Sequence, residues 1–134
     1  MSNQERHRTN HNGDALRRAW LAELSGARVA RASHDVVAEG HHLERAHVLS
    51  QPMAAAHVRT HAAMLTYGIR RRNRKEIVGQ VVRLIVAGPG SLSGRYPVGN
   101  TGGAAISAFA VLPIDDDLRQ FLLATPGARS TPRR

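Results

Sequence analysis

The chain has 134 residues, with 19 Lys and Arg against 10 Asp and Glu, for a formal net charge of +9. That length suits one domain with tails, and it can bury a core without disulfide staples. No cysteine is present, which excludes disulfides, thiolate zinc sites, iron–sulfur clusters and cysteine nucleophiles.

The N-terminal residues 1–13 are polar and hold no apolar run of the kind a secretory signal needs. They and the tail 125–134 read as disordered by composition, flanking a single helical domain over 14–124. The longest aliphatic stretch, Leu84 to Ala87, is far short of a membrane span. A cytoplasmic protein that does not enter a membrane is expected.

Asp14 is a plausible N-cap for a first helix reaching about Ala32, with Leu16, Trp20, Leu24 and Ala27 at helical spacing. A second helix opens at Ser33 or His34 and runs to about Ser50. Pro52 suits the first turn of a third helix, which extends to Tyr67 with Gly68 as its C-cap. A fourth runs from Asn73 to Ala87 with Ile77, Val81, Leu84 and Ile85 on one side, and Gly88-Pro89-Gly90 stops it. Residues 88–108 read as a long ordered loop rich in Gly and Ser. Pro113 and Asp115 to Asp117 then start a short last helix through Leu118, Phe121 and Leu122. Strand signals are poor; Ala108 to Ile114 is the best extended candidate. The fold expected is all-α: a small antiparallel bundle of four main helices, a long Gly-rich loop and a short C-terminal helix. Two successive helical hairpins also permit a helical-repeat fragment.

Helical spacing gathers a chemical constellation around Pro52. On the second helix Asp35, Glu39 and His42 share one side, which looks solvated. Glu44 and His47 lie roughly opposite, beside Val37, Gly40, Val48 and Gln51. On the third, His57, His61 and Met64 oppose the polar side of Arg59, Thr66 and Arg70. Glu44 and His47 are spaced i, i+3, and His57 and His61 are spaced i, i+4, so each pair shares a helix face. If the chain reverses near Pro52, His47 and His57 lie at one level and Glu44 and His61 at the next. Four metal-competent groups then converge, with Gln51 and the 94–107 loop nearby. Three neutral imidazoles and a carboxylate suit one divalent transition metal: zinc, iron, manganese or copper. An open coordination position would let the ion activate water or take a small-molecule substrate. The simpler alternative is that the histidines are core hydrogen-bonders and Glu44 pairs with Arg17 or Arg83. His41, level with Met64, raises a weaker copper-like pairing. His34 and His42 read as surface residues, and His7 and His11 lie in the N-terminal arm.

The stretches HLERAH at 42–47, HVRTH at 57–61 and GRYPVGNTGGAAISAFAVLPI at 94–114 together resemble a small bacterial family known as domain of unknown function 3703. The likeness covers about 14–124. It implies that the Leu-Glu-Arg-Ala-His segment and the Gly-Asn-Thr-Gly loop share one compact unit, and it implies no activity.

The charge is uneven. Arg70, Arg71, Arg72, Arg74 and Lys75 give one basic turn, and Arg129, Arg133 and Arg134 a basic tail, together eight of the nine net charges. Such a turn could make a non-catalytic helical adaptor that meets an acidic protein or nucleic acid. No aromatic is interleaved for base stacking, so weak, salt-labile polyanion binding is the expectation. The 98–103 segment lacks the Lys-Ser/Thr ending of a phosphate loop and reads as a tight turn. Ser91, Ser93 and Ser107 have no visible nucleophile partners.

Overall fold

The computed structural model describes residues 3–92, 100–103 and 113–123. Five helices appear in order: α1 (Asn3–Ala32), α2 (Val36–Ser50), α3 (Ala54–Arg70), α4 (Arg74–Leu92) and α5 (Asp116–Leu123). No strand occurs among the described residues. Three-residue turns join the first four, so sequential neighbours pack side by side: α1 with α2, α2 with α3, α3 with α4. The short α5 closes against α1 and α2. This is the all-α bundle that the periodicity implies. Among the described residues no helix is long and apolar enough to cross a membrane. The expectations for 93–99, for Ala108 as the start of an extended segment, for Ser107 and for the tail lie outside the described residues.

The apolar stripe on α1 does what its spacing predicts. Leu16, Trp20, Leu24 and Ala27 are all buried, against Leu43, Ala46 and Leu49 of α2, Met64 of α3, and Leu118 and Leu122 of α5. Each large aliphatic side chain buried this way contributes about 1.5–3 kcal/mol. The indole N–H of Trp20 donates to the Thr60 hydroxyl at 2.9 Å, which satisfies its one polar atom inside the core.

Helix ends differ from the expectations in instructive ways. α1 runs back to Asn3, so Asp14 is an interior residue and caps nothing. Once a helix is nucleated, extending it through a polar segment costs little. Asp35, rather than Ser33 or His34, caps α2, its carboxylate accepting from Ala38 N at 2.9 Å. α3 starts after Met53, leaving Pro52 in the turn. Gly68 lies inside α3 rather than ending it; its missing Cβ lets α4 come close, since a Cβ there would sit 3.0 Å from Glu76 Cγ. Asn73 caps α4 through its side chain to Glu76 N. α4 continues through Pro89, which forfeits one ladder bond without ending the helix.

The orientation of α4 is the main departure. Ile77 and Leu84 are half-buried, but Val81 and Ile85 are 44% and 72% exposed. Gln80 and Arg83 point inward instead. On α2, Val37 is exposed, while Glu39 is buried against Arg70 and His42 Nδ1 lies 2.7 Å from Glu23. The side expected to be solvated is thus tied to the neighbouring helices.

Arg45 fastens α5 to the bundle. Its Nε donates to Glu23 at 2.8 Å, and its terminal nitrogens reach Asp115 at 3.1 Å and Asp117. The cation holds the Asp117 carboxyl below its ordinary range. Arg45→Met should release α5 and leave the largely buried Glu23 with less positive charge. Urea unfolding should then show a loss on the order of 2 kcal/mol. An unchanged midpoint would mean that Leu118 and Leu122 alone hold α5.

Candidate metal centre

The reversal at residues 51–53 brings α2 and α3 together, with Met53 N donating to Ser50 O at 2.8 Å. His47 of α2 then meets His57 and His61 of α3. All three are buried, and their ligand atoms lie within 4.8 Å of one another. His47 Nε2 is 2.8 Å from His57 Nε2 and 3.2 Å from His61 Nε2.

The groups behind the rings decide what those nitrogens can do. His47 Nδ1 is 2.7 Å from the Asn100 carbonyl, which only accepts, so Nδ1 carries the proton. His61 Nδ1 is 2.6 Å from Gln80 Oε1. The Gln80 amide nitrogen donates to Glu76 Oε1 at 2.6 Å and to the Gly102 carbonyl at 2.7 Å, which turns its oxygen toward His61. His61 Nδ1 is therefore also the protonated nitrogen. Neutral rings held this way present two Nε2 lone pairs to each other across 3.2 Å. Two lone pairs at that distance repel unless a cation lies between them or a neighbouring N–H is turned on them, and for His47 the ring placed to donate is His57, whose Nε2 is 2.8 Å away.

A proton is a poor candidate for that cation. Burial pushes His47 well below its ordinary range, and the neighbouring imidazoles and Arg83 add to the effect. Burial, then His61, brings His57 down to about 4. Burial also lowers His61, with the Arg83 charge acting the same way against the opposing pull of the Gln80 hydrogen bond and Glu76.

The 100–103 segment roofs the cluster. The Asn100 carbonyl takes His47 Nδ1–H and the Gln51 amide at 3.3 Å, while the Asn100 side chain accepts Gly102 N–H at 2.9 Å. Gly102 has φ +79°, and a Cβ there would fall 2.7 Å from the His47 ring. The Asn100–Gly103 segment thus covers the imidazole cluster, and Gln51 lies beside it as the spacing indicated. The Thr101 hydroxyl is buried with no hydrogen-bond partner among the described residues.

Of the four expected ligands, the structure brings three together. Glu44 sits one turn before His47, half-buried near Gly103, and is not one of the converged group. Burial raises its carboxyl above the usual range, against a lowering by His41 and with a further rise from Glu76. It lines a cavity of about 160 Å³ with His41, Thr101 and Asp115. His41 is exposed while Met64 is buried in the core, so no His/Met layer forms. His34 is exposed, as expected. Sequence reasoning missed Gln80 and Asn100. A lone Gln in the apolar run of α4, one turn beyond Glu76, was the one available signal.

Residues 14–122 match the family described as Protein of unknown function (DUF3703). The chain belongs to that family. The matched span contains all three histidines, Gln80 and the roofing segment, and the family description assigns no activity. No curated protein and no solved structure matches the chain.

Two outcomes follow from this geometry. Unfolded histidines take protons from about pH 6.5 downward, whereas folded His57 resists until about 4. Stability of the metal-free protein is therefore full above about pH 6.5 and lost as pH falls toward about 4, His57 alone accounting for on the order of 3 kcal/mol. A pH series of urea midpoints reads this directly, and a flat series would contradict neutral buried rings. Gly102→Ala should cost about 2 kcal/mol or more, because the positive φ and the His47 ring both oppose a Cβ.

Proposed function

We propose that the chain is a helical metal-binding protein in which His47, His57 and His61 hold one divalent transition-metal ion. The observation that carries this reading is the pair of Nε2 lone pairs on His47 and His61, aimed at each other by Asn100 and Gln80. Metal-bound histidines characteristically donate their other ring N–H to a carbonyl or carboxylate, which fixes tautomer and orientation. Spacing supports it as well. Tetrahedral zinc with Zn–N of about 2.0–2.1 Å separates its nitrogens by about 3.3–3.4 Å. The 3.2 Å pair meets that nearly as it stands, and the 2.8 Å pair needs a small opening.

Charge balance also bears on the reading. Arg83 opposes a dication, while Glu76 and Glu44 favour one. Glu44 is the carboxylate proposed to compensate the charge of the ion from beside the three imidazoles. Three protein ligands leave a position for water or a small substrate, the arrangement that lets a metal supply a nucleophile near neutral pH. Zinc, iron, manganese and copper all accept imidazole. The adaptor reading of the basic turn gains less from the fold. Arg70 pairs with Glu39, and Arg71 donates to the Tyr67 hydroxyl at 3.1 Å, so two of its five cations are engaged within the chain.

Metal analysis of protein purified without a polyhistidine tag tests the proposal. One equivalent of metal should survive dialysis and raise the melting temperature by mass action. Because the ring pKa values are depressed, that rise should persist well below pH 6.5 and fade only toward the acid range. His47→Ala, His57→Ala and His61→Ala should each lose most of the metal, while His11→Ala loses none. Glu44→Gln should weaken binding without unfolding the chain. Wild-type protein from metal-replete medium with no bound metal, and no shift with any of the four ions, would sink the reading.

A further inference from the structure

α1 and α3 both lean on α2 and leave a groove of about 220 Å³ between them. Four arginines line it: Arg28 and Arg31 from α1, Arg59 and Arg70 from α3. The two α1 arginines are spaced i, i+3. Arg59 and Arg70 share one side of α3, with the Thr66 hydroxyl between them. The floor is apolar, built by side chains such as Leu24 and Leu43. Among the described residues Glu39 is the one carboxylate in the lining, and it pairs with Arg70. Four cations against one anion give the described lining 4 − 1 = +3.

Natural surfaces avoid gathering like charges over an apolar floor, because the low local dielectric makes their repulsion expensive. An ordinary arginine cluster is interleaved with acids. Here Arg28 and Arg31 have no carboxylate partner among the described residues. The other two are held in place: Arg59 lies over the Trp20 ring at 5.6 Å, and Arg70 is anchored by Glu39. Two anchored arginines, and two with no carboxylate partner among the described residues, give an anion cationic side chains on both walls of the groove. Guanidinium forks match the oxygens of phosphate in bidentate pairs. A phosphate dianion would bring the groove from +3 to about +1, which a monocarboxylate cannot do. At about 220 Å³ the groove is smaller than a drug-sized pocket of roughly 300–1,000 Å³, so the ligand is small.

We infer that this groove is a binding site for a small organic phosphate, with Arg28, Arg31, Arg59 and Arg70 on the phosphate and the Leu24/Leu43 floor under the organic part. The site is separate from the imidazole cluster, because His57 and His61 project from the opposite side of α3 from Arg59. Its fate is independent of the metal reading.

Inorganic phosphate is the probe, titrated by calorimetry into the full chain at constant ionic strength. One saturable equivalent is expected. Arg28→Gln combined with Arg31→Gln should weaken it at least about tenfold, since each charge-assisted bond is worth more than the 1.4 kcal/mol that tenfold represents. Both residues are exposed, so the fold should survive, and an unchanged circular dichroism melt checks this. Arg72→Gln with Arg74→Gln, in the basic turn, should leave the affinity alone. No saturable phosphate binding by the wild-type chain would overturn the inference. So would equal losses in the groove and turn variants. A single-stranded oligonucleotide binding far more tightly than phosphate, in a manner that follows the turn variant, would assign the basic charge to nucleic acid instead.

Discussion

The hydrogen bond from His47 Nδ1–H to the Asn100 carbonyl is the constraint on which the centre of this protein depends. It places a proton on one side of a buried ring and thereby a lone pair on the other. It also fixes where the 100–103 segment lies, and so why residue 102 must lack a side chain. The same segment returns a carbonyl to Gln80, whose oxygen orients His61. One loop, by two backbone carbonyls, therefore sets the tautomers of rings on two different helices. Remove the loop, and His47 and His61 are free to rotate into ordinary core hydrogen bonds.

That arrangement explains the unusual posture of α4. A helix with so many aliphatic residues would normally turn them inward. Here Gln80 and Arg83 take the interior and Val78, Val82 and Ile85 are exposed, because the interior at that point is polar. Fully buried Gln80 is tolerable since its amide nitrogen has two acceptors and its oxygen one donor. Hydrophobic burial lost by α4 is recovered elsewhere, in the α1 stripe and in Leu118 and Leu122 of α5. The molecule thus has an aliphatic core around α1, α2 and α5 and a polar centre shared by α2, α3 and α4.

Arginine distribution follows the same division. Along the chain the net charge concentrates in one turn and one tail, and the helices look balanced. In space, arginines separated by some thirty to forty positions in sequence face one another across α2. Part of the conspicuous turn, meanwhile, is engaged internally by Glu39 and Tyr67. Linear charge runs are visible to the eye, whereas a groove needs the helix phases and the neighbour relations together.

The sequence by itself determined the helical class, the buried stripe of Leu16, Trp20, Leu24 and Ala27, the last short helix, and the convergence of His47, His57 and His61 across one chain reversal, within an expected set of four that also held Glu44. Each of these follows from a local period of 3.6 residues and one chain reversal near Pro52, which are properties of neighbours in sequence. Only the tertiary structure decided the rest: that Glu44 stands outside the imidazole group, that Gln80 and Asn100 orient the rings, that α4 turns its polar side inward, and that four arginines share a groove. Those depend on how far each helix rotates about its own axis against partners dozens of residues away. A rotation of one residue, about 100°, exchanges an inward side chain for an outward one without altering the periodicity.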